Sequence, residues 1–315
     1  MAESVSVRRF VAPSDTLGSL AALPEFRGHE YIFGSGVDSS AKLTIEQLSA
    51  GVGGVWNVDA MCRGLDFLRE SCAGGKVFYD IRPDITPPCL MAFPVEGAER
   101  SVLICAGGAY SDVCLLSEGF PIAQRLNRLG ISSFVLRYRC GRMPVPVNDL
   151  ACAVEFISAN SKRFGVSMDT FALMGFSAGA HLAASYAAGI GCAPPRRPAY
   201  LMLAYPVITM GKYAHAGSRE NILGRQFSAE LAERWSVEQH IDSAFPPCYI
   251  WQCRDDDIVP SQNSQLIYNA LQSAGVPSRL ELVSGRAHGW GLADGTSADG
   301  WLDRALDFWR SLEYK

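Results

Sequence analysis

The sequence predicts an α/β fold in which helices cover both faces of a mostly parallel sheet of about eight strands. From about residue 76 onward, short apolar runs alternate with helical segments, a pattern typical of parallel sheets. The chain has 315 residues, 48% of them hydrophobic, and can therefore bury one large core. One apolar run leads directly into a Gly-x-Ser-x-Gly turn and a segment of small residues, which indicates a strand, a tight turn and a helix.

The expected strands are short runs rich in β-branched, aromatic and aliphatic residues. The first two flank a turn region from Pro83 to Pro88 and are expected to pair antiparallel. The others are separated by helices and are expected to run parallel. The eight predicted strands span residues 77–79, 90–93, 102–105, 132–138, 170–174, 199–205, 249–251 and 280–283.

The expected helices of the main domain lie between these strands. Gly130 and Gly275 mark the ends of two of them, because glycine commonly terminates a helix. The predicted helices span residues 118–129, 149–162, 178–188, 261–274 and 300–314.

The first 75 residues form a separate region in the predicted organisation, and residues 76–315 form the catalytic domain. A short helix is expected near Leu43–Leu48, and Met61, Leu65 and Leu68 make an apolar stripe of a second helix that runs to about Glu70. Two interpretations are open. The segment is an arm packed on the main domain, or it is a partial cap that borders the active site through Trp56.

The charge pattern excludes several classes of partner. The formal net charge is −4 and the isoelectric point is near 5.8, so we expect neither nucleic acid nor an anionic membrane as a partner. The Arg196-Arg197 pair is interpreted as part of a solvent-exposed turn rather than a binding patch.

The first thirty residues lack a signal-like apolar region, and no apolar run reaches the roughly eighteen residues of a membrane span. We therefore expect a soluble, cytoplasmic protein, and a homo-oligomer is left open.

The ten cysteines are consistent with a reducing environment. None of them forms a C-x-x-C pair, and several fall within apolar strand runs. Buried free thiols are therefore expected, in preference to disulfides or a metal site. No metal and no cofactor are expected.

The Gly-x-Ser-x-Gly turn is predicted to be a nucleophile elbow. Gly175 and Gly179 leave room at a strained turn on which Ser177 projects above the sheet. The hydroxyl would lie near the N-terminus of the following helix, whose free N–H groups favour a developing negative charge.

A serine nucleophile needs a base and a group that orients the base. His288 lies in a glycine-flanked loop after the last strand and is the best candidate base. Asp256 follows the seventh strand and is the favoured carboxylate, with Asp255 as the alternative. The order Ser, Asp, His is that of the α/β-hydrolase arrangement. His181 lies one helical turn after Ser177 and is expected to brace the elbow, whereas His29, His215 and His240 have no carboxylate cluster nearby in sequence. His215 and His240 lie between the strands predicted at 199–205 and 249–251, in a stretch that is expected to be irregular.

Two groups of backbone donors are predicted to stabilise an oxyanion. One is the N–H of Ala178, the residue after the nucleophile. The other is the loop after the first parallel strand, Gly107-Gly108-Ala109. A phosphate-binding role for this loop is disfavoured, because the sequence has no G-x-G-x-x-G and no Lys-Ser/Thr pair.

From about Ser101 to Ala293 the chain resembles the carbohydrate-esterase branch of the α/β-hydrolases, the acetyl-xylan-esterase and feruloyl-esterase-like proteins. The resemblance rests on several blocks that occur in the expected order. They include 107–110, 118–121, 138–139, Asp149, 175–182, 205–207, 216–218, 223–224, Asp256 with 259–260, 263–264, 274–277 and 288–289. Ala106 and Ala109 depart from the family pattern in the oxyanion loop.

The resemblance implies a metal-independent serine esterase that acts on acetyl or other short acyl esters, often of sugars. The substrate would be a small ester or an acylated saccharide, cleaved through Ser177, His288 and Asp256. Two alternatives remain. One is an amide hydrolase of the same fold, either a prolyl-oligopeptidase-like peptidase or an arylformamidase. The other is a catalytically silent binding protein.

Overall fold

A computed structural model describes residues 10–34, 40–82 and 88–312 of the chain. These residues contain one eight-stranded sheet with helices on both sides. The predicted turn from Pro83 to Pro88 lies almost entirely outside the described residues, as does the predicted end of the last helix near Tyr314.

The sheet has the strand order β1-β2-β4-β3-β5-β6-β7-β8. Strand β2 pairs antiparallel with both β1 and β4, and every other neighbouring pair is parallel. The predicted fold class, including the opening antiparallel pair, is confirmed. The strands are β1 Phe78–Asp80, β2 Cys89–Phe93, β3 Ser101–Cys105, β4 Ser132–Arg137, β5 Phe171–Phe176, β6 Tyr200–Ala204, β7 Cys248–Cys253 and β8 Ser278–Val283.

The inner strands are buried along their whole length. Every residue of β2 through β7 is buried, whereas β8 at the edge of the sheet is largely half-buried. Helices on both faces account for this pattern, and it explains why the strands read as continuous apolar runs rather than as alternating ones.

Helices in the described residues are α1 Leu17–Ala21, α2 Ile45–Gly51, α3 Val58–Gly74, α4 Leu115–Glu118, α5 Phe120–Arg128, α6 Val145–Ala159, α7 Ser161–Phe164, α8 Ala178–Ala187, α9 Ala216–Leu223, α10 Ala229–Arg234, α11 Gln262–Ser273 and α12 Trp301–Ser311. Short 3₁₀ segments occupy Pro24–Phe26, Glu30–Phe33 and Val237–His240.

The helix predicted over 118–129 is two helices, α4 and α5, that meet at Gly119. Pro121 is the physical reason. It has no N–H with which to continue the helix, whereas the first turn of a new helix does not need one.

The helix predicted over 149–162 differs at both ends. Helix α6 begins earlier, at Val145. Pro146 is compatible with this start, because the first turn of a helix requires no N–H donor. Helix α6 ends at Ala159, and after Asn160 the separate helix α7 follows.

The segment between β6 and β7 was expected to be irregular, and this expectation is wrong. Helices α9 and α10 and the 3₁₀ turn at Val237–His240 all lie within it. Helices of six and eight residues carry too little amphipathic pattern to be recognised in sequence. This segment supplies part of the wall of the candidate site described below.

The N-terminal segment is packed on the sheet domain through helix α3. Gly64 of this helix lies against Pro121, where an added Cβ would approach the proline nitrogen to 2.8 Å. The Gln124 side chain donates to the carbonyl oxygen of Arg63, and Arg137 donates to the carbonyl oxygen of Tyr31. Close packing and long-range hydrogen bonds thus fix this segment to the main domain.

All ten cysteines are free thiols. Half are buried and half are partly exposed, so the expectation of burial holds for Cys62, Cys89, Cys105, Cys248 and Cys253.

In residues 10–34, 40–82 and 88–312 no group of three or more His, Cys, Asp or Glu side chains is arranged to hold a metal ion. None of the helices in these same ranges combines the length and the apolar character needed to cross a bilayer.

Candidate active site

Ser177 lies at the turn between β5 and α8, in a backbone conformation that residues other than glycine rarely adopt. Its φ is 50° and its ψ is −118°. The two glycines of the motif permit this turn. A Cβ on Gly175 would lie 2.4 Å from the Cα of Ala180, and a Cβ on Gly179 would lie 2.0 Å from the carbonyl oxygen of Cys105. Only glycine allows the backbones to approach so closely, which accounts for the Gly-x-Ser-x-Gly pattern.

The structure brings the three predicted side chains into one hydrogen-bonded line. His288 Nε2 lies 2.8 Å from Ser177 Oγ, and His288 Nδ1 lies 2.8 Å from Asp256 Oδ2. The carboxylate accepts from Nδ1–H, which leaves Nε2 free to accept the proton of the serine hydroxyl. The imidazole is therefore held in the tautomer that a general base requires.

Asp256, rather than Asp255, occupies the position beside His288. Its Oδ1 accepts hydrogen bonds from the backbone N–H groups of Ile258 and Val259, both at 2.9 Å. The Gln252 side chain donates to its Oδ2 at 3.1 Å. Asp255 is exposed, so the alternative carboxylate does not reach the histidine.

The predicted oxyanion loop has one of its N–H groups already engaged. Gly107 N–H donates to Glu118 Oε2 at 2.6 Å, so it is not a free donor. For Gly108, Ala109 and Ala178, no hydrogen bond from the backbone N–H is found within the part of the chain that the structure describes. The donors available beside Ser177 are therefore those of Gly108, Ala109 and Ala178.

Glu118 is a buried residue of the site whose role the sequence reasoning missed. Its Oε1 accepts a hydrogen bond of 2.8 Å from the Tyr205 hydroxyl, which in turn accepts from Gly291 N–H. The Tyr205 ring packs edge-on against the His288 ring, with 4.8 Å between the ring centroids. Burial raises the pKa of Glu118, while its hydrogen bonds from Gly107 and Tyr205 oppose the rise. This network joins the oxyanion loop to the histidine loop.

His181 is completely buried and lies in a second network next to the elbow. Its Nε2 is 2.8 Å from the carbonyl oxygen of Trp235 and must donate to it, so Nδ1 accepts from the Tyr110 hydroxyl at 2.8 Å. Burial lowers the pKa of His181 to about 4. The ring is therefore neutral at pH 7 and connects Tyr110, next to the oxyanion loop, to the segment after α10.

A cavity of about 420 Å³ lies above Ser177 and His288. The N-terminal segment contributes Trp56 to its wall, together with two valines. These three residues lie beside the cavity, and the choice between an arm and a partial cap stays a prediction. The cavity is lined by Val52, Val55, Trp56, Gly108, Ala109, Cys114, Glu118, Ser177, His215, Ile258, His288 and Gly289.

His215 is a second lining residue that sequence reasoning set aside. It caps helix α9, and α9 lies in the segment that was expected to be irregular. The only sequence signal was the Ala216-Gly217-Ser218 block, in which the serine follows the histidine at the spacing of a helix cap.

Comparisons with known proteins match the central part of the chain. Residues 99–190 match the family described as BD-FAE. The chain is 33% identical to endo-1,4-beta-xylanase B of Butyrivibrio fibrisolvens over 64% of its length, and 30% identical to an acetylxylan esterase of Xylanibacter ruminicola over 63%. It spans only 34% and 42%, respectively, of the length of those two relatives.

Solved structures match over a larger share of the chain. An acetyl ester-xyloside bifunctional hydrolase from Caldicellulosiruptor lactoaceticus superposes with a TM-score of 0.69 at 27% identity. The match covers 75% of this chain and 96% of the other. The carboxylesterase Cest-2923 of Lactobacillus plantarum shares the fold, with a TM-score of 0.65 at 23% identity, covering 75% of this chain and 97% of the other. The chain therefore has the α/β-hydrolase fold and resembles, over the part that carries Ser177, the carbohydrate-esterase branch of that superfamily.

Proposed function

We propose that this protein is a serine carboxylic-ester hydrolase that removes acetyl or other short acyl groups, preferentially from saccharides. One observation carries the proposal. The hydrogen-bonded line of Ser177, His288 and Asp256 opens into a cavity beside backbone N–H groups that have no partner in the described structure. A nucleophile, a base, its orienting carboxylate and oxyanion donors are together the requirements of acyl transfer.

In the first half of the proposed reaction, Ser177 Oγ attacks the ester carbonyl carbon while His288 Nε2 takes the hydroxyl proton. The carbonyl oxygen gains negative charge and accepts hydrogen bonds from Ala178 N–H and from the loop of Gly108 and Ala109. Loss of one donor of this kind costs about 3 kcal/mol of transition-state stabilisation.

Collapse of the tetrahedral intermediate breaks the bond to the alcohol oxygen, which receives the proton from His288. The acyl group remains on Ser177. In the second half a water molecule gives one proton to His288 while its oxygen attacks the acyl carbon. The bond between the acyl carbon and Ser177 Oγ then breaks, Oγ takes the proton back from His288, and the carboxylic acid leaves. Asp256 stabilises the imidazolium in both halves through its hydrogen bond to Nδ1–H.

The saccharide part of the proposal has separate support. The relatives described above are named acetylxylan esterase and acetyl ester-xyloside bifunctional hydrolase. The cavity of about 420 Å³ has room for an acylated sugar ring, since small-molecule sites of roughly 300–1,000 Å³ are typical.

The test uses a fluorophosphonate probe and p-nitrophenyl acetate on the purified protein. We expect covalent labelling of the wild type, mapped to Ser177, and turnover of the ester. The Ser177→Ala variant should show neither. Ser185→Ala is a matched control on the same helix, because its buried hydroxyl has no hydrogen-bond partner in the described structure, and it should keep full activity.

A panel of acetylated xylo-oligosaccharides, alkyl acetates and peptide amides then defines the substrate. Faster cleavage of amides than of esters would favour the amide-hydrolase alternative. Ligand binding without turnover of any substrate would favour a binding protein. Turnover retained in Ser177→Ala would overturn the proposed nucleophile.

A further inference from the structure

His215 presents one nitrogen to its own helix. Its Nδ1 accepts a hydrogen bond of 3.2 Å from Ser218 N–H and lies 2.9 Å from Ser218 Oγ. These contacts are those of a helix N-cap, with the imidazole in place of the usual hydroxyl or carboxylate. Because Nδ1 is an acceptor, the proton of the neutral ring is on Nε2.

The second nitrogen of His215 has no hydrogen-bond partner among the described residues. The side chain is half-buried and lines the cavity above Ser177. Burial lowers its pKa, and the nearby His288 lowers it further, while Asp256 opposes the change. The ring is therefore neutral near pH 7, with Nε2–H available as a donor.

Trp56 lies on the same side of the cavity as the histidine loop. A Cβ on Gly289, the residue after His288, would approach the indole Nε1 to 3.3 Å. His215 lines the same cavity as His288. In the proposed reaction, His288 hands its proton to the leaving alcohol oxygen, so the alcohol part of the substrate must lie beside these residues.

We propose that His215 and Trp56 form the subsite that binds the alcohol part of the substrate, and that this part is a pyranose ring. His215 Nε2–H donates to a ring hydroxyl, and the indole of Trp56 packs on the carbon face of the sugar. A plain alkyl alcohol would leave the Nε2–H without a partner, and a site built to hydrogen-bond a hydroxyl discriminates against a substrate that lacks it. This inference rests on the proposed esterase function.

Residues 99–190 carry the family match, and both Trp56 and His215 lie outside them. Trp56 belongs to the N-terminal segment, and His215 belongs to the segment between β6 and β7.

His215→Asn is the informative substitution. The Asn oxygen can replace Nδ1 as the helix cap, because asparagine is among the best N-cap residues, whereas the Nε2–H donor is lost. We expect kcat/KM for a monoacetylated methyl xyloside to fall about tenfold, the usual order for one hydrogen bond. The value for ethyl acetate should stay within about twofold. Trp56→Leu should likewise lower the ratio of kcat/KM for the xyloside to kcat/KM for ethyl acetate.

The control is His240→Asn, which alters an exposed histidine outside the cavity and should leave both values unchanged. The labelling rate of Ser177 by a fluorophosphonate reports whether each variant keeps an intact active site. An equal loss on both substrates, or an unchanged ratio, would overturn the subsite assignment and leave the esterase proposal standing. A wild type that hydrolyses neither ester would overturn both.

Discussion

The carboxylate of Glu118 accepts a hydrogen bond of 2.6 Å from the backbone N–H of Gly107. Glu118 lies at the end of α4 and Gly107 lies in the loop after β3, so this contact fixes one side of the oxyanion loop to a helix. A Cβ on Gly107 would approach Glu118 Oε2 and the Cβ of Ser177, each to 2.9 Å. Gly107 therefore serves as an anchor, and the donors left beside Ser177 are those of its neighbours.

Glu118→Gln should destabilise the fold by about 1–3 kcal/mol and lower kcat. If the amide oxygen accepts from Gly107 N–H, its NH₂ faces the Tyr205 oxygen, and the buried hydroxyl proton of Tyr205 loses its acceptor. Urea unfolding measures the first effect, and hydrolysis of p-nitrophenyl acetate measures the second. Exposed Glu220→Gln is the control and should change stability by less than about 0.5 kcal/mol. Unchanged stability in Glu118→Gln would contradict the role of the carboxylate as acceptor for both Gly107 N–H and the Tyr205 hydroxyl.

Asp256→Asn should lower kcat by roughly 10⁴-fold with little change in KM. The amide can present its NH₂ to His288 and so favour the tautomer in which Nε2 carries the proton and cannot act as the base. The matched control is Asp257→Asn, because this neighbouring aspartate is exposed and paired with Arg286. Steady-state kinetics on one ester substrate compares the two variants. Comparable losses in both would remove Asp256 from its proposed role.

The stability of the protein should depend on the protonation of His181. The folded pKa is about 4 and the unfolded pKa is about 6.5, so between these values the unfolded chain binds more protons. Stability is therefore complete above pH 6.5 and falls as the pH decreases toward 4, by roughly 3 kcal/mol in total.

Urea unfolding at pH 7.5 and at pH 5 measures this dependence. His181→Gln should be less stable than the wild type at pH 7.5, because its network with Tyr110 and Trp235 is disturbed, but it should lose less stability on acidification. Equal pH slopes in the two proteins would show that another group carries the dependence.

Gly179→Ala should destabilise the protein by at least about 3 kcal/mol, because the added methyl would lie 2.0 Å from the carbonyl oxygen of Cys105 and 2.5 Å from that of Ala106. Both obstacles are backbone atoms of β3 and the loop after it, which cannot move aside cheaply. Gly74→Ala, in the last turn of α3, meets nothing within 4 Å and should be neutral or stabilising by up to about 1 kcal/mol. Thermal unfolding of both variants tests the difference, and equal melting temperatures would contradict the close approach.

The sequence by itself determined the strands, the elbow and the order of the site residues. The buried strands read as apolar runs because both faces of the sheet are covered, and this pattern is local. The glycines beside Ser177 are also a local requirement of the turn. The boundary near residue 75 between the two predicted regions stays a prediction.

Only the tertiary structure decided which side chains meet. Ser177 and His288 are separated by 111 residues, and the choice of Asp256 over its neighbours depends on which backbone N–H groups face its carboxylate. No periodic pattern in the sequence indicates that Glu118 accepts a hydrogen bond from Gly107 N–H. None indicates that His215 and Trp56 line the cavity. Periodic patterns report which face of an element is buried, whereas contacts between loops arise only when the sheet order brings their strand ends together.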